Sequence, residues 1–418
     1  MLGYCAATRR FDSTHLENLP MLQLAERMSR AKPSAIMVVA EKAKKLKAAG
    51  RDIISFSIGV PNFLPGEHVY AAARDALAHD SGQYGSNRGS DALLDAFLVH
   101  LKEGGFDGYE RKNLATGVGA KHVLFNLMYA LLNEGDEILI PVPYWTSYVD
   151  IADILGAKTV LLPCPAEQNY KLTAAQLEAA ITPKTKLLLF NNPSNPTGMV
   201  YSEEEVAALA DVLVKHQLWI LSDDIYNRMI FDGLQYAHLV KARPELRDRV
   251  ILIDSISKTY GMPGWRVGLI AAPEQVALSQ VTLNSNHITN LPEVVTAAAT
   301  AALSGPQDVP REKNQDFSRR RDEVMAVLES IPGLHCPKPQ GAFYAFPDIS
   351  VAFGKHHGDT LIANDVDFCN VLLDVKGVAC VPGSAFGEPK AIRISYTCKP
   401  AELTDGLNRI KQFFAELV

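Results

Sequence analysis

The stretch VILIDSISKTYGMPGWRVGLIAA, residues 250–272, places a polar, glycine-containing segment between two short apolar runs. Short apolar runs bounded by turn-forming residues are typical of buried β-strands, so the stretch predicts a strand, a loop and a second strand. Lys258 stands in the predicted loop. Ligands of open α/β sheets bind beyond the carboxyl ends of the strands, which is where this loop begins. The stretch therefore predicts both a buried sheet and a ligand-binding loop.

Similar apolar runs precede this stretch at residues 137–141, 159–163, 186–190 and 218–221. Helix-start signals lie between them, because Thr173 with Gln176 and Ser202 with Glu205 have the spacing of capping boxes. Alternation of buried strands and helices predicts an α/β fold in which helices cover both faces of a mostly parallel sheet.

The pattern changes after about residue 308 to a long charged helix at 312–330, strand-like segments at 343–346 and 391–396, and a closing amphipathic helix. This succession predicts a smaller α+β domain. The 418 residues are enough for two domains. The predicted division is an N-terminal arm at 1–31, a large cofactor-binding domain at 66–308, and a small domain at 32–65 and 309–418.

Composition excludes several classes of protein. Net charge is −6 with acidic and basic residues interspersed, which predicts no nucleic-acid partner. The six cysteines form no CxxC pair and no zinc-site spacing, which predicts reduced thiols and no metal site. The N-terminus has no continuous apolar segment, and Asp12 and Glu17 disfavour a transit peptide. We therefore expect a cytoplasmic protein with no membrane association.

The Lys258 loop carries the groups that a cofactor with an aldehyde and a phosphate requires. The lysine amine can form a Schiff base with an aldehyde. Ser255, Ser257 and Arg266 can hold a phosphate dianion. Pyridoxal 5′-phosphate (PLP) has both groups, so the loop indicates a PLP enzyme.

Two other polar segments follow predicted strands, namely NNPSNPTG at 191–198 and DDIY at 223–226. Taken alone, each also fits an ordinary turn or a solvated strand end. A dinucleotide-binding motif beginning at Gly117-Val-Gly119 would need a third glycine where His122 stands. The sequence also lacks Walker A, HExxH and GxSxG motifs.

Together the three segments resemble the class I (fold type I) PLP-dependent aminotransferases, the aspartate aminotransferase family. The resemblance runs roughly from residue 32 to the C-terminus and rests on NPxNPTG, DxxY and SxSKxxxxxGWRxG. It implies amino-group transfer from an amino acid to a 2-oxo acid through a Schiff base on Lys258. A PLP-dependent lyase or oxidase would use the same scaffold and stays an alternative. A PLP-sensing regulator is disfavoured, because only about 30 residues precede the resemblance.

The resemblance assigns roles around the cofactor ring. Lys258 is the Schiff-base lysine and later the general base. Asp223 pairs with the pyridinium nitrogen and keeps the ring an electron sink. Asp224 is the weaker candidate for this pairing, because adjacent strand residues face opposite ways. Asn195 and Tyr226 are expected to bond the phenolic oxygen.

Further contacts are expected at the phosphate and on the ring. Gly119, Ala120 and Lys121 begin a predicted helix, whose backbone amides suit a phosphate. Trp145 matches the aromatic residue that stacks on the ring. Tyr84 matches a tyrosine that reaches the phosphate of the neighbouring subunit, which implies a homodimer with shared active sites.

Substrate contacts are expected from Gly59, Trp145, Asn195 and Arg393. Arg393 matches the arginine that forks onto the substrate α-carboxylate, for which a planar guanidinium is suited. The chain has GVPNF at 59–63 where the family commonly has GEPDF. It also has Tyr129 where some aspartate-specific relatives carry a lysine. These departures leave the amino donor open.

Overall fold

The computed structural model describes residues 23–418, so residues 1–22 of the predicted N-terminal arm lie outside the described residues. The strands are β1 Ile54–Ser55, β2 Leu114–Val118, β3 Glu137–Val142, β4 Lys158–Pro163, β5 Thr185–Asn191, β6 Trp219–Asp223, β7 Val250–Ser255, β8 Val267–Ala271, β9 Tyr344–Ala345, β10 His356–His357, β11 Thr360–Leu361, β12 Val378–Ala379, β13 Val381–Pro382 and β14 Ile392–Ser395. The α-helices are α1 Ala35–Ala48, α2 Glu67–His79, α3 Asp91–Glu103, α4 Ala120–Leu131, α5 Ser147–Leu155, α6 Ala174–Ala180, α7 Glu203–Leu213, α8 Leu239–Ala242, α9 Glu274–His287, α10 Glu293–Ser304, α11 Asp308–Glu329, α12 Asp365–Lys376 and α13 Pro400–Ala415.

A seven-stranded sheet in the order β2-β8-β7-β6-β5-β3-β4 forms the centre of the fold. Strands β3 to β7 are parallel to one another, which confirms the predicted α/β fold with a mostly parallel sheet. The prediction that residues 267–272 form a parallel strand is wrong, because β8 is antiparallel to both β2 and β7. Residues 256–266 connect β7 to β8. This connection is shorter than the crossover of about a dozen or more residues that parallel strands need. Strand β2, with the sequence LATGV, has no continuous apolar run and escapes the sequence pattern.

A second group of elements combines residues from both ends of the described chain. Strands β13, β14 and β9 form an antiparallel sheet, and β1 pairs in parallel with β12. Helix α11, predicted at 312–330, begins at Asp308 and packs Phe317 against a core that includes Phe343 and Ile410. The division into domains at residues 66 and 308 stays a prediction.

The sheet brings three loops to one edge. Strands β5, β6 and β7 end at Asn191, Asp223 and Ser255. Because these strands are parallel, their carboxyl ends lie on the same side, where ligands of such sheets bind. Both capping boxes form, with the Thr173 and Ser202 hydroxyls accepting from the backbone three residues on. Within residues 23–418, no helix is long and apolar enough to cross a membrane.

Candidate active site

A cavity of about 410 Å³ opens at the carboxyl ends of β5, β6 and β7. The sequence-predicted site residues that line it are Gly59, Ala120, Lys121, Trp145, Asn195, Asp223, Tyr226, Ser255, Ser257, Lys258, Arg266 and Arg393. Gly119 lies directly before the lining residue Ala120, as the N-cap of α4. Tyr84 is not brought to this cavity, and its side chain is 87% exposed in the single chain. The structure therefore gathers nearly all of the predicted site in one place.

Lys258 is partly buried in the loop after β7. Its Nζ donates a hydrogen bond to the carbonyl of Gly59 at 2.8 Å. Burial and the nearby charge of Arg393 lower the pKa of the amine to about 8, although Asp223 acts in the opposite direction. A lysine with a lowered pKa has more neutral amine near neutral pH, and the neutral amine is the form that acts as nucleophile or base.

Asp223 closes β6 with a buried carboxylate. Its Oδ2 accepts a hydrogen bond from the hydroxyl of Tyr148 at 2.6 Å, while its Oδ1 has no partner among the described residues. Burial raises the pKa of this carboxyl to about 6, and the Tyr148 hydrogen bond opposes that rise. Leaving a buried acceptor unpaired is costly, so the position fits a ligand that brings a donor.

Asp224 faces away from the cavity. Its Oδ1 accepts hydrogen bonds from Ser222 and Tyr236, and it does not line the cavity. Adjacent residues at a strand end point to opposite faces of the sheet. The geometry therefore offers Asp223, and not Asp224, to a molecule in the cavity.

Arg393 on β14 is buried at one side of the cavity. Its Nη1 donates to Asn195 Oδ1 at 3.0 Å and its Nη2 donates to the Ser57 carbonyl at 2.5 Å. Its Nε is buried without a partner among the described residues. The ionisable groups that favour its charge are the hydroxyls of Tyr344 and Tyr226, and no carboxylate is among them. A buried guanidinium in such surroundings fits an anionic ligand.

The other side of the cavity begins at the N-terminus of α4. Gly119 there has φ +83°, and a Cβ on it would lie 2.2 Å from Arg266 Nη2, so a side chain at this position would displace the arginine. The Ser255 hydroxyl accepts from the Ser257 backbone N–H at 2.8 Å. Arg266 donates to the Val118 carbonyl at 3.2 Å, which fixes the guanidinium beside the helix start. Hydroxyls, a guanidinium and helix N-terminal amides together form a pocket for an anion.

A family model described as aminotransferase class I and II matches residues 51–410. The chain belongs to this aminotransferase family. The aspartate/prephenate aminotransferase of Cereibacter sphaeroides is 40% identical over 399 residues, covering 95% of this chain and 100% of that protein. The asparagine–oxo-acid transaminase of Streptococcus mutans is 36% identical, covering 94% of this chain and 99% of that protein. A crystal structure of the aspartate aminotransferase from Rhizobium meliloti superposes with a TM-score of 0.92 at 38% identity, covering 95% of this chain and 100% of that one.

These comparisons confirm the recognised family and the function of amino-group transfer. Class I aminotransferases use PLP, their substrates are amino acids and 2-oxo acids, and they are typically dimeric. The alternative of a lyase or an oxidase on the same scaffold is not favoured.

Sequence analysis misses two tyrosines of this aminotransferase. Tyr148 lies three residues after Trp145, so the two share a face at the start of α5, and that spacing is the signal that could have found it. Tyr344 on β9 lines the cavity and lies 2.9 Å, hydroxyl to hydroxyl, from Tyr226. No local pattern connects these last two residues, which are 118 positions apart. Other lining residues outside the predicted set are Ser34, Ile36, Met37, Val60, Asn191, Ile225 and Pro263.

Proposed function

We propose that PLP binds in this cavity and that Lys258 is the residue to which its aldehyde is attached. The observation that carries the proposal is the pairing, within one cavity, of a lysine whose pKa is lowered and a buried carboxylate oxygen that lacks a donor. The first suits an aldehyde and the second suits the protonated nitrogen of a pyridine ring. When bound, PLP supplies an electron sink for negative charge at the substrate α-carbon.

The cavity residues divide into two groups that would hold PLP at opposite sides. Asp223 Oδ1 would accept from the ring nitrogen, while the Tyr148 hydrogen bond keeps this carboxylate in place. Asn195 and Tyr226 would bond the phenolic oxygen. The phosphate would be held by Ser255, Ser257, Arg266 and the backbone amides of residues 119–121.

Lys258 would also move the proton during the reaction. Its pKa of about 8 leaves a useful fraction of free amine near neutral pH, so Nζ can accept the proton from the substrate α-carbon and return it at the cofactor. The Gly59 carbonyl accepts from the same nitrogen at 2.8 Å. This contact holds Nζ at the substrate side of the cavity.

We further propose that the amino donor is a dicarboxylic amino acid, with aspartate as the first candidate. Arg393 would bind the α-carboxylate, and the ammonium of Lys121 would bind the distal carboxylate. Lys121 Nζ lies 4.8 Å from the centre of the Trp145 ring at the cavity mouth. Tyr129 is 56% exposed and does not line the cavity, so its identity does not argue against a dicarboxylate. Relatives with printed aspartate specificity support the same choice.

We also propose a homodimer with shared active sites. Tyr84 is the residue expected to reach the phosphate of the partner subunit. Its side chain is 87% exposed in one chain, as a residue reserved for a second subunit would be. The typical dimeric state of the family supports this assembly.

The test of the proposed chemistry is a single-turnover experiment on the yellow holoenzyme without a 2-oxo acid. Aspartate alone should release one equivalent of 2-oxo acid per subunit and then stop, and added 2-oxoglutarate should restore the original spectrum. Lys258→Ala should carry no cofactor that borohydride can fix, whereas the control Lys121→Gln should still carry it. Continuous product release without an acceptor, or fixed cofactor in Lys258→Ala, would overturn the proposal.

A further inference from the structure

Two buried tyrosines face each other beside the substrate end of the cavity. Tyr226 follows β6 and Tyr344 belongs to β9, and each is 1% exposed. Their hydroxyl oxygens are 2.9 Å apart and their rings are nearly perpendicular, at 84°. Both side chains line the cavity.

The direction of the hydrogen bond between them follows from counting protons. A tyrosine hydroxyl has one proton to donate and can accept on its oxygen. In the function proposed above, Tyr226 donates its proton to the phenolic oxygen of PLP. The 2.9 Å contact can then be a hydrogen bond only if Tyr344 donates and Tyr226 accepts.

We propose that Tyr344 is a positioning residue that donates to Tyr226 and thereby holds the Tyr226 proton toward the cofactor; this inference rests on the proposed function. A hydroxyl that accepts one hydrogen bond becomes a better donor in the next, because the two bonds polarise each other. Tyr344 would therefore act on the cofactor through Tyr226, without touching the reacting atoms.

The surroundings of Tyr344 hold its hydroxyl where this role needs it. The guanidinium of Arg393 lies 4.7 Å from the centre of the Tyr344 ring. A Cβ added at Gly59 would lie 2.0 Å from the Tyr344 hydroxyl oxygen, so glycine at that position leaves the hydroxyl its space. The Gly59 carbonyl accepts from Lys258, which places the tyrosine pair next to the amine.

The charged groups around the pair come from three elements. Arg393 projects from β14, Asp223 from the end of β6, and Lys258 from the loop after β7. Burial raises the pKa of the Tyr344 hydroxyl, and the nearby Arg393 partly opposes that rise. Tyr344 therefore remains protonated and keeps a proton to donate in the ordinary pH range.

The variant Tyr344→Phe removes the hydroxyl and keeps the ring that packs on Arg393. Holoenzyme absorbance is titrated with pH, because the chromophore reports the strength of the hydrogen bond to the phenolic oxygen. We expect the spectroscopic pKa to rise by a few tenths of a unit up to about one unit, as the loss of one neutral hydrogen bond allows. KM for the amino acid should stay near its wild-type value while kcat falls.

Tyr396→Phe is the matched control, because Tyr396 is fully buried, its hydroxyl has no partner among the described residues, and it does not line the cavity. Its titration should match that of the wild type. Gly59→Ala is a second variant, since the added methyl group must displace the Tyr344 hydroxyl, and it should shift the titration in the same direction as Tyr344→Phe.

A double-mutant cycle completes the test. Once Tyr226→Phe has removed the relaying hydroxyl, adding Tyr344→Phe should give no further shift. A wild-type titration in Tyr344→Phe or Gly59→Ala, or additive shifts in the cycle, would overturn the role of Tyr344 and leave the PLP proposal intact. A wild-type protein that binds no PLP would instead overturn the proposed function.

Discussion

Replacing Arg393 with lysine keeps the positive charge and removes the planar fork. In the structure the two terminal nitrogens reach Asn195 Oδ1 at 3.0 Å and the Ser57 carbonyl at 2.5 Å. A single ammonium on a slimmer side chain cannot reproduce this spread and also bind a carboxylate in the bidentate manner. Weakening a buried, charge-assisted contact of this kind costs about 2–5 kcal/mol, which corresponds to a loss in kcat/KM of roughly 30-fold to several thousand-fold.

The assay measures kcat/KM for aspartate, alanine and phenylalanine with one common 2-oxo acid. Because the α-carboxylate is common to all three donors, Arg393→Lys should lower each value by the same factor. Lys121→Gln is the contrasting variant. It should lower kcat/KM for aspartate by about tenfold, or about 1.4 kcal/mol, and leave alanine and phenylalanine nearly unchanged.

Loss confined to aspartate in Arg393→Lys would refute the reasoning, since it would move Arg393 to the side-chain end of the substrate. Equal losses for all donors in Lys121→Gln would remove Lys121 from distal-carboxylate binding.

Three further predictions follow from the same site. Asp223→Asn should lower kcat far more than Asp224→Asn, because only Asp223 faces the cavity; steady-state rates check this, and the reverse order would contradict it. In the cofactor-free protein, the rate of PLP capture should rise with pH and level off near pH 8, because the neutral amine of Lys258 reacts and its pKa is lowered from 10.5 to about 8; a stopped-flow rate that still climbs steeply above pH 9 would exclude this value. Mixing inactive Lys258→Ala with inactive Tyr84→Ala subunits should restore activity through one intact site per hybrid dimer, and no recovery under proven subunit exchange would contradict shared sites.

Local patterns account for most of what the sequence predicts correctly. The apolar runs predict the strands, and the face alternation at a strand end distinguishes Asp223 from Asp224 without any structure. The direction of β8 is wrong when read from its apolar run alone, because strand direction depends on the connection and not on strand composition.

Contacts between distant segments account for the residues that the sequence misses. Tyr344 acquires its place only when β9 lies against the loop after β6, and nothing in FYAF at 343–346 indicates this. Tyr84 is recognised by resemblance alone, and its position in a single chain gives it no partner in the cavity. A site residue is thus predictable when its role follows from its own strand, and hidden when another part of the chain gives it that role.

The hydrogen bond from Arg393 to the Ser57 carbonyl joins positions 336 residues apart. Distance along the chain adds little free energy, since each doubling of loop length costs only about 0.6 kcal/mol. Its consequence is temporal. During synthesis the residues proposed to hold PLP, at 119–266, all emerge before Arg393, and chains fold progressively from the N-terminus. We therefore expect a growing chain to complete its cofactor pocket first, so that recognition of the amino acid is the last property the newborn protein acquires.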